Sequence, residues 1–213
     1  MSIDFNLYLI TDRKQTKLPL PEAVRLALKG GVRAIQLRER DLPVRELLAL
    51  AQEIRTLTRK FNAKLFINDR VDIAVAVDAD GVHLGHQSMP PEAVRKIVGM
   101  KMLIGVSTHN LQEAQSAETG GADFITYGPV YLTPSKVGLG APVGPESIKN
   151  TVNSINIPVF GLGGIKSGNI NHVLDSGAYG ISMISEIFVS DDIESKAREI
   201  VAKVNKAITT VMR

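Results

Sequence analysis

Residues 64–85 read KLFINDRVDIAVAVDADGVHLG, and this stretch contains the pattern that decides the fold. KLFIN and GVHL are short apolar runs, whereas VDIAVAV between them has helical periodicity. A strand, a helix and a second strand in this order are typical of a parallel sheet.

The same alternation extends from this stretch to both ends of the chain. The other strand-like runs, each followed by a helical pattern, are LYLIT, VRAIQLRE, MLIGVST, FITYGP, IPVFGLGG and GISMIS. Eight strand-helix units of about 27 residues each predict a minimal (β/α)8 TIM barrel of the α/β class. A doubly wound open sheet is the alternative, but LITDRKQT follows the first strand where the G-x-G-x-x-G turn of that fold would stand.

The composition suits one large domain, predicted to span residues 1–213, because 44% of the residues are hydrophobic. The absence of cysteine excludes a disulfide scaffold and a thiol nucleophile, and it predicts a cytoplasmic protein. A net charge of only +3, with scattered basic residues and no Trp, argues against nucleic-acid binding. No apolar run approaches the roughly 18 residues of a membrane span, so no membrane partner is expected.

Polar residues close the second strand, at the end of a barrel where active sites lie. Alternation along the strand puts Gln36, Arg38 and Arg40 on one side. Two guanidinium groups and an amide there suit a multiply charged anion such as a diphosphate. The alternative is an exposed strand end with ion pairs to Glu39 and Asp41.

Asn68 and Asp69 close the third strand. Amide and carboxylate oxygens at a strand end can hold Mg²⁺, which completes its shell with water and substrate phosphate. The alternative is that one of them caps the helix that begins with VDIAVAV.

The seventh and eighth units indicate a phosphate site. Gly163 and Gly164 close the seventh strand, and Ile184 and Ser185 close the eighth before a short helical turn, SEIF. Backbone N–H groups of these two loops bind phosphate in many barrels. The alternative is that the glycines only permit a tight turn.

Two further features concern proton transfer and the loops. His109 follows the fifth strand and could move a proton near neutral pH, or it could cap the next helix beside Asn110. His83 lies inside a strand run and is assigned to packing or to the surface. The irregular segment 129–144 is long enough to indicate a functional loop.

Eight motifs in register resemble the thiamine phosphate synthase and thiazole tautomerase superfamily over nearly the whole chain. They are YLITD, QLRERD, INDRVDIAVAVDADGVHLG, IGVSTH, GADFITYGPV, TPSK, PVFGLGGI and GAYGISMIS. The resemblance implies a (β/α)8 barrel that joins hydroxymethylpyrimidine diphosphate to a thiazole phosphate with Mg²⁺ and releases diphosphate. The implied partners are therefore small phosphate and diphosphate substrates.

The resemblance also implies three groups of site residues. The group for the pyrimidine diphosphate and its Mg²⁺ is Gln36, Arg38, Asn68 and Asp69. The group around the diphosphate and the thiazole is Ser107, Thr133, Ser135 and Lys136. The group that holds the thiazole phosphate is Gly164, Ile184 and Ser185. Mg²⁺, Arg38 and Lys136 would stabilise the departing diphosphate.

Two positions depart from the synthase pattern. Arg40 stands where the pattern has Lys, and Ser88 stands where it has the Asp that is the second Mg²⁺ ligand. The sister tautomerase needs no metal and uses a histidine at the position of His109, which the synthase branch also contains. The predicted function is the synthase, and the alternatives are the tautomerase and a non-catalytic protein that binds thiazole phosphate.

Overall fold

The apolar runs form eight parallel strands that close into a barrel, as shown by a computed structural model that describes residues 3–133 and 142–211. The strands are β1 (Leu7–Ile10), β2 (Ala34–Leu37), β3 (Lys64–Asn68), β4 (Gly81–Leu84), β5 (Leu103–Thr108), β6 (Phe124–Tyr127), β7 (Val159–Leu162) and β8 (Gly180–Met183). Each strand pairs with the next in the chain, and Leu9 of β1 lies opposite Met183 of β8. The predicted barrel is confirmed, and the open sheet is excluded.

Helices follow the strands and cover the outside of the barrel. They are α1 (Leu20–Lys29), α2 (Val44–Lys60), α3 (Val71–Ala76), α4 (Pro91–Val98), α5 (Leu111–Thr119), α6 (Gly144–Val152), α7 (Ile170–Asp175), α8 (Ser185–Phe188) and α9 (Ile193–Val211). The predicted SEIF turn is therefore confirmed as α8. The last helix begins at Ile193, because Asp192 accepts the Ser195 N–H at 2.9 Å and precedes the first turn.

Alternate strand residues fill the interior of the barrel. Tyr8, Phe66, Phe124 and Phe160 are fully buried, and five of the pairs among their rings have centroids 5.2 to 6.3 Å apart. Such pairs contribute about 0.5–1.5 kcal/mol each beyond the area they bury. Gly105 is required beside this layer, because a Cβ there would lie 2.4 Å from the ring of Phe124. The aromatic layer occupies the part of the interior nearer the strands' amino ends.

The helices pack apolar faces against the outside of the strands. In α1, Leu20, Val24 and Leu28 are buried at a spacing of four residues, which places them on one face. Burial of each such side chain contributes about 1.5–3 kcal/mol. Among the residues described, no helix has the length and the apolar character needed to cross a membrane.

Candidate active site

A layer of buried polar side chains lies on the carboxyl-terminal side of the aromatic rings. Gln36, His83 and Thr126 are each at most 2% exposed. Gln36 Nε2 donates to the Tyr8 hydroxyl at 3.1 Å, and that hydroxyl lies 3.4 Å from His83 Nδ1. His83 Nε2 lies 3.0 Å from Ser107 Oγ. Two predicted site residues, Gln36 and Ser107, are thus connected through the interior of the barrel.

His83 is a neutral imidazole in this layer. Burial, and then the positive charge of Arg38, lowers its pKa to about 3. Because the Tyr8 oxygen accepts from Gln36, its own hydrogen is free to reach His83 Nδ1. His83 Nε2–H is then the donor to Ser107, which leaves the Ser107 hydroxyl hydrogen available for a ligand. The assignment of His83 to packing therefore missed its polar role.

Arg38 and Arg40 present two guanidinium groups at the rim. Within the described part of the chain, neither guanidinium group forms an ion pair or a hydrogen bond. The predicted alternative, ion pairs with Glu39 and Asp41, does not form, because Arg13 binds both carboxylates. Burial and the charge of Arg40 lower the pKa of Arg38. An anion bound between the two guanidinium groups would relieve their repulsion.

Asn68 and Asp69 do not cap the helix that follows them. The residue before α3 is Arg70, and no side chain caps that helix. Asp69 has a φ of +63°, a left-handed conformation that costs about 1–3 kcal/mol for a residue other than glycine. Its N–H donates to the His83 carbonyl at 2.9 Å, and its side chain is exposed at the rim. The backbone strain therefore presents a carboxylate where the sequence predicted a metal ligand.

The loops after β4 and β5 border a groove of about 510 Å³, whose lining includes Ser88, Ser107 and Glu113. Ser88 Oγ accepts the Gly85 N–H at 2.7 Å. This bond holds the Ser88 side chain in a turn beside the groove. Ser88 therefore offers only a hydroxyl at the position predicted for the second Mg²⁺ ligand.

His109 is oriented by an acidic neighbour. Its Nδ1 lies 3.0 Å from Glu113 Oε2, and its backbone N–H donates to the same oxygen at 2.8 Å. The cap of α5 is Asn110, which accepts the Glu113 N–H at 2.9 Å. Burial raises the pKa of Glu113, but the hydrogen bonds from His109 outweigh it and the net shift is downward. The residue that caps α5 is therefore Asn110 and not His109. The Nε2 atom of His109 is directed away from Glu113.

The loops after β7 and β8 have the backbone that a phosphate site needs. Gly163 and Gly164 have φ values of +98° and +64°. α8 begins at Ser185, one residue beyond Ile184, and the first N–H groups of a helix lack intrahelical partners. Gly164 is also held close to the chain, since a Cβ there would lie 2.7 Å from the Leu132 carbonyl oxygen. The turn requires glycine, which confirms the predicted tight turn, and the phosphate site at this turn stays a prediction.

The segment after β6 lies against the Gly163–Gly164 turn. The Val130 N–H donates to the Leu162 carbonyl at 2.9 Å, and the Tyr131 N–H donates to the Gly163 carbonyl at 3.0 Å. These bonds hold the segment that leads to Thr133 at the end of the barrel where the glycine turn lies. Ser135 and Lys136, predicted to contact the diphosphate or the thiazole, lie outside the described residues.

Sequence reasoning did not select Thr11 and Arg13, which follow β1. Thr11 is fully buried, and its Oγ1 accepts the Arg38 N–H at 2.9 Å while its hydroxyl donates to Glu39 at 2.7 Å. Polar residues that follow a strand were selected at the other strand ends, and by the same criterion Thr11 and Arg13 are candidates too. They support the loop that carries Arg38.

Cationic side chains after β2 and glycine turns after β7 thus share one end of a closed (β/α)8 barrel, which is typical of barrels that bind phosphorylated small molecules. The chain belongs to the family described as thiamine monophosphate synthase (TMP-TENI), whose model matches residues 7–187.

Known proteins resemble this chain over nearly its whole length. A Geobacter sulfurreducens protein is 53% identical over 94% of each chain. The thiamine-phosphate synthase of Clostridium novyi is 43% identical over 93% of this chain and 98% of that protein. The structure of a thiamine phosphate pyrophosphorylase from Pyrococcus furiosus has a TM-score of 0.89 and 39% identity, over 95% of this chain and 96% of that one. The predicted family and the synthase-like transferase assignment are confirmed.

Proposed function

We propose that this chain joins hydroxymethylpyrimidine diphosphate to a thiazole phosphate, forming thiamine phosphate and releasing diphosphate. The observation that carries the proposal is the pair of guanidinium groups of Arg38 and Arg40, without carboxylate partners in the described residues. Two such groups at the end of a barrel suit an oxyanion with several charges. The synthase names of the relatives favour this activity over the tautomerase.

The reaction is a substitution at the methylene carbon of the pyrimidine. The bond between that carbon and the diphosphate oxygen breaks, and both electrons leave with diphosphate. The lone pair of the thiazole nitrogen then forms the new carbon–nitrogen bond, which makes the ring cationic. Charge accumulates on the leaving group, so Arg38 and Arg40 act by stabilising it, together with Lys136 from the segment after β6.

Other side chains orient the pyrimidine substrate. Asn68 offers an amide group at the end of β3, and Gln36 lies in the buried layer below it, fixed by its bond to Tyr8. Ser107 accepts from His83 and can therefore donate its own hydrogen to a diphosphate oxygen. Backbone N–H groups at Gly164, Ile184 and Ser185 bind the thiazole phosphate. Thr133 contacts the diphosphate or the thiazole.

The residues at the rim fit a Mg²⁺ ion that arrives with the diphosphate. Asp69 supplies a carboxylate and Asn68 an amide oxygen, while Ser88 supplies a hydroxyl. Among the described residues, no three acidic or histidine side chains gather into a metal cluster. Mg²⁺ needs only one or two protein carboxylates when substrate phosphates and water complete its shell. When bound, it withdraws negative charge from the leaving diphosphate.

The test is to incubate the protein with both substrates and Mg²⁺ and to measure diphosphate and thiamine phosphate, which should form in equal amounts. Arg38→Ala should weaken binding of the pyrimidine diphosphate by about 10- to 150-fold, since a charge-assisted contact contributes about 1.5–3 kcal/mol. Its affinity for thiazole phosphate should not change. Lys60→Ala is the control, because it removes an exposed positive charge at the far end of α2.

Other outcomes would contradict the proposal. Metal-independent exchange of the thiazole ring proton, without diphosphate release, would identify a tautomerase. Tight binding of thiazole phosphate with neither reaction would identify a non-catalytic binding protein. Equal loss of both ligands in Arg38→Ala would show that Arg38 does not belong to the diphosphate subsite.

A further inference from the structure

The rim segment after β2 has charges of alternating sign that could neutralise one another. Its sequence is Arg38, Glu39, Arg40 and Asp41, so each arginine has an acidic neighbour in the chain. An anionic ligand binds weakly to guanidinium groups that are already paired with carboxylates. The site described above therefore requires that Glu39 and Asp41 be held elsewhere.

Arg13, from the loop after β1, holds both carboxylates. Its Nη1 lies 3.1 Å from Glu39 Oε2, and its backbone N–H lies 3.1 and 3.2 Å from the two Glu39 oxygens. Its guanidinium also binds Asp41 through two nitrogens, at 2.5 Å and 3.0 Å. Lys14 adds a second cation, 2.7 Å from Asp41 Oδ2.

The electrostatics agree with this geometry. Hydrogen bonds from Arg13, and then from Lys14, hold the pKa of Asp41 well below its usual range. Hydrogen bonds to Asp41 and to Glu39 raise the pKa of Arg13. The carboxylates of Glu39 and Asp41 are thus both bound by residues of the loop after β1.

We propose that Arg13 is a positioning residue for diphosphate binding, which acts by keeping the carboxylates of Glu39 and Asp41 away from Arg38 and Arg40. The inference rests on the proposed function, because it concerns the same anion subsite. Arg13 itself does not contact the ligand. Its effect reaches the ligand through the two arginines whose charges it leaves unpaired.

The Thr11 side chain links Glu39 to the backbone of Arg38. The Thr11 hydroxyl donates to Glu39 Oε1 at 2.7 Å, and the same oxygen of Thr11 accepts the Arg38 N–H at 2.9 Å. Arg13, Glu39, Thr11 and the backbone of Arg38 therefore form one hydrogen-bonded chain. Its members come from the loops after β1 and β2, and Arg13 and Glu39 are 26 positions apart in the sequence.

The test uses inorganic diphosphate with Mg²⁺ as the probe in calorimetry, and KM for each substrate in the synthase assay. Arg13→Ala should weaken diphosphate binding and raise KM for the pyrimidine diphosphate about tenfold, which is about 1.4 kcal/mol. KM for thiazole phosphate should stay within about twofold, because among the described residues Arg13 bonds to Glu39 and Asp41 and to none of the residues assigned to that subsite. Arg59→Ala is the matched control, since Arg59 pairs with Asp78 at 2.6 Å near the amino ends of the strands.

Rescue separates this role from a merely structural one. In the double variant Arg13→Ala with Asp41→Asn, the Asp41 carboxylate is gone, while Glu39 keeps its bonds to the Thr11 hydroxyl and to the backbone N–H of residue 13. Most of the lost diphosphate affinity should therefore return. Arg13→Lys keeps the charge but cannot bind two carboxylates in the same way, and it should give an intermediate affinity even if Arg13→Ala folds poorly. If the double variant binds diphosphate no better than Arg13→Ala, or if Arg13→Lys matches the wild type, the proposal is wrong. Failure of the wild-type protein to bind diphosphate would instead contradict the proposed function.

Discussion

His83 Nε2 lies 3.0 Å from Ser107 Oγ, inside the barrel and just below its open end. The two residues belong to neighbouring strands, with His83 opposite Gly105 in the register. A Cβ at residue 105 would lie 2.6 Å from His83 Nδ1, so the glycine lets the imidazole occupy this place. One buried ring therefore fixes a hydroxyl at the rim.

Replacement of His83 by Gln should change the pH dependence of stability. The pKa of His83 is lowered to about 3 in the folded protein, whereas an unfolded histidine titrates near about 6.5. Between these values the unfolded chain binds more protons, so His83 makes the free energy of unfolding fall as the pH falls. The slope is at most about 1.4 kcal/mol per pH unit, and His83→Gln should remove it.

Urea denaturation of the wild type and of His83→Gln, at several pH values between about 4 and about 7, measures this difference. His172→Gln is the control, because His172 is exposed on α7. Parallel pH curves for the wild type and His83→Gln would show that the buried imidazole does not set the slope.

Replacement of Thr11 by Val should destabilise the barrel by about 2–4 kcal/mol, because Glu39 Oε1 and the Arg38 N–H would both lose a partner. Thr58→Val is the control with the same change in shape. Thr58 is also fully buried, but within the part of the chain that the structure describes its hydroxyl bonds only to the Arg55 carbonyl in α2. The control should cost less than about 1.5 kcal/mol in chemical denaturation, and equal losses in the two variants would refute the network at Thr11.

The strands and the glycine turn after β7 could be predicted from the sequence because they depend on local patterns. The eight apolar runs mark strands, and the glycines at 163–164 mark a turn wherever they occur. The partners of Glu39 could not be predicted, since Arg13 meets it only after β1 pairs with β2. The contact of His83 with Tyr8 joins residues 75 positions apart and depends on the closure of the barrel.

Replacement of Gly164 by Ala should weaken binding of thiazole phosphate and cost about 1–3 kcal/mol of stability, because φ is +64° there and a Cβ would lie 2.7 Å from the Leu132 carbonyl oxygen. Gly168→Ala is the control, since nothing lies within 4 Å of a Cβ at that position. Calorimetry with thiazole phosphate and thermal unfolding measure the two effects. Unchanged affinity in a folded Gly164→Ala protein would contradict the assignment of this turn to the phosphate.

Replacement of Ser88 by Asp should lower the Mg²⁺ concentration needed for diphosphate release, by about tenfold if the added carboxylate contributes about 1.4 kcal/mol to ion binding. The new side chain can still accept the Gly85 N–H that Ser88 accepts at 2.7 Å, and its second oxygen adds negative charge to the loop after β4. Ser88→Asn has a similar shape without the charge and should leave the Mg²⁺ requirement unchanged. Titration of Mg²⁺ in the diphosphate-release assay measures both variants.

The same titration separates the synthase from its metal-free relative. A tautomerase would exchange the thiazole ring proton in D₂O with EDTA present, would lose this activity in His109→Asn, and would not respond to Ser88→Asp. His109 could support such exchange, because Glu113 binds its Nδ1 at 3.0 Å and leaves Nε2 for the proton. A synthase instead depends on Mg²⁺, and its requirement should shift with the charge at residue 88. An equal shift in Ser88→Asp and Ser88→Asn, or none in either, would place the ion away from the loop after β4.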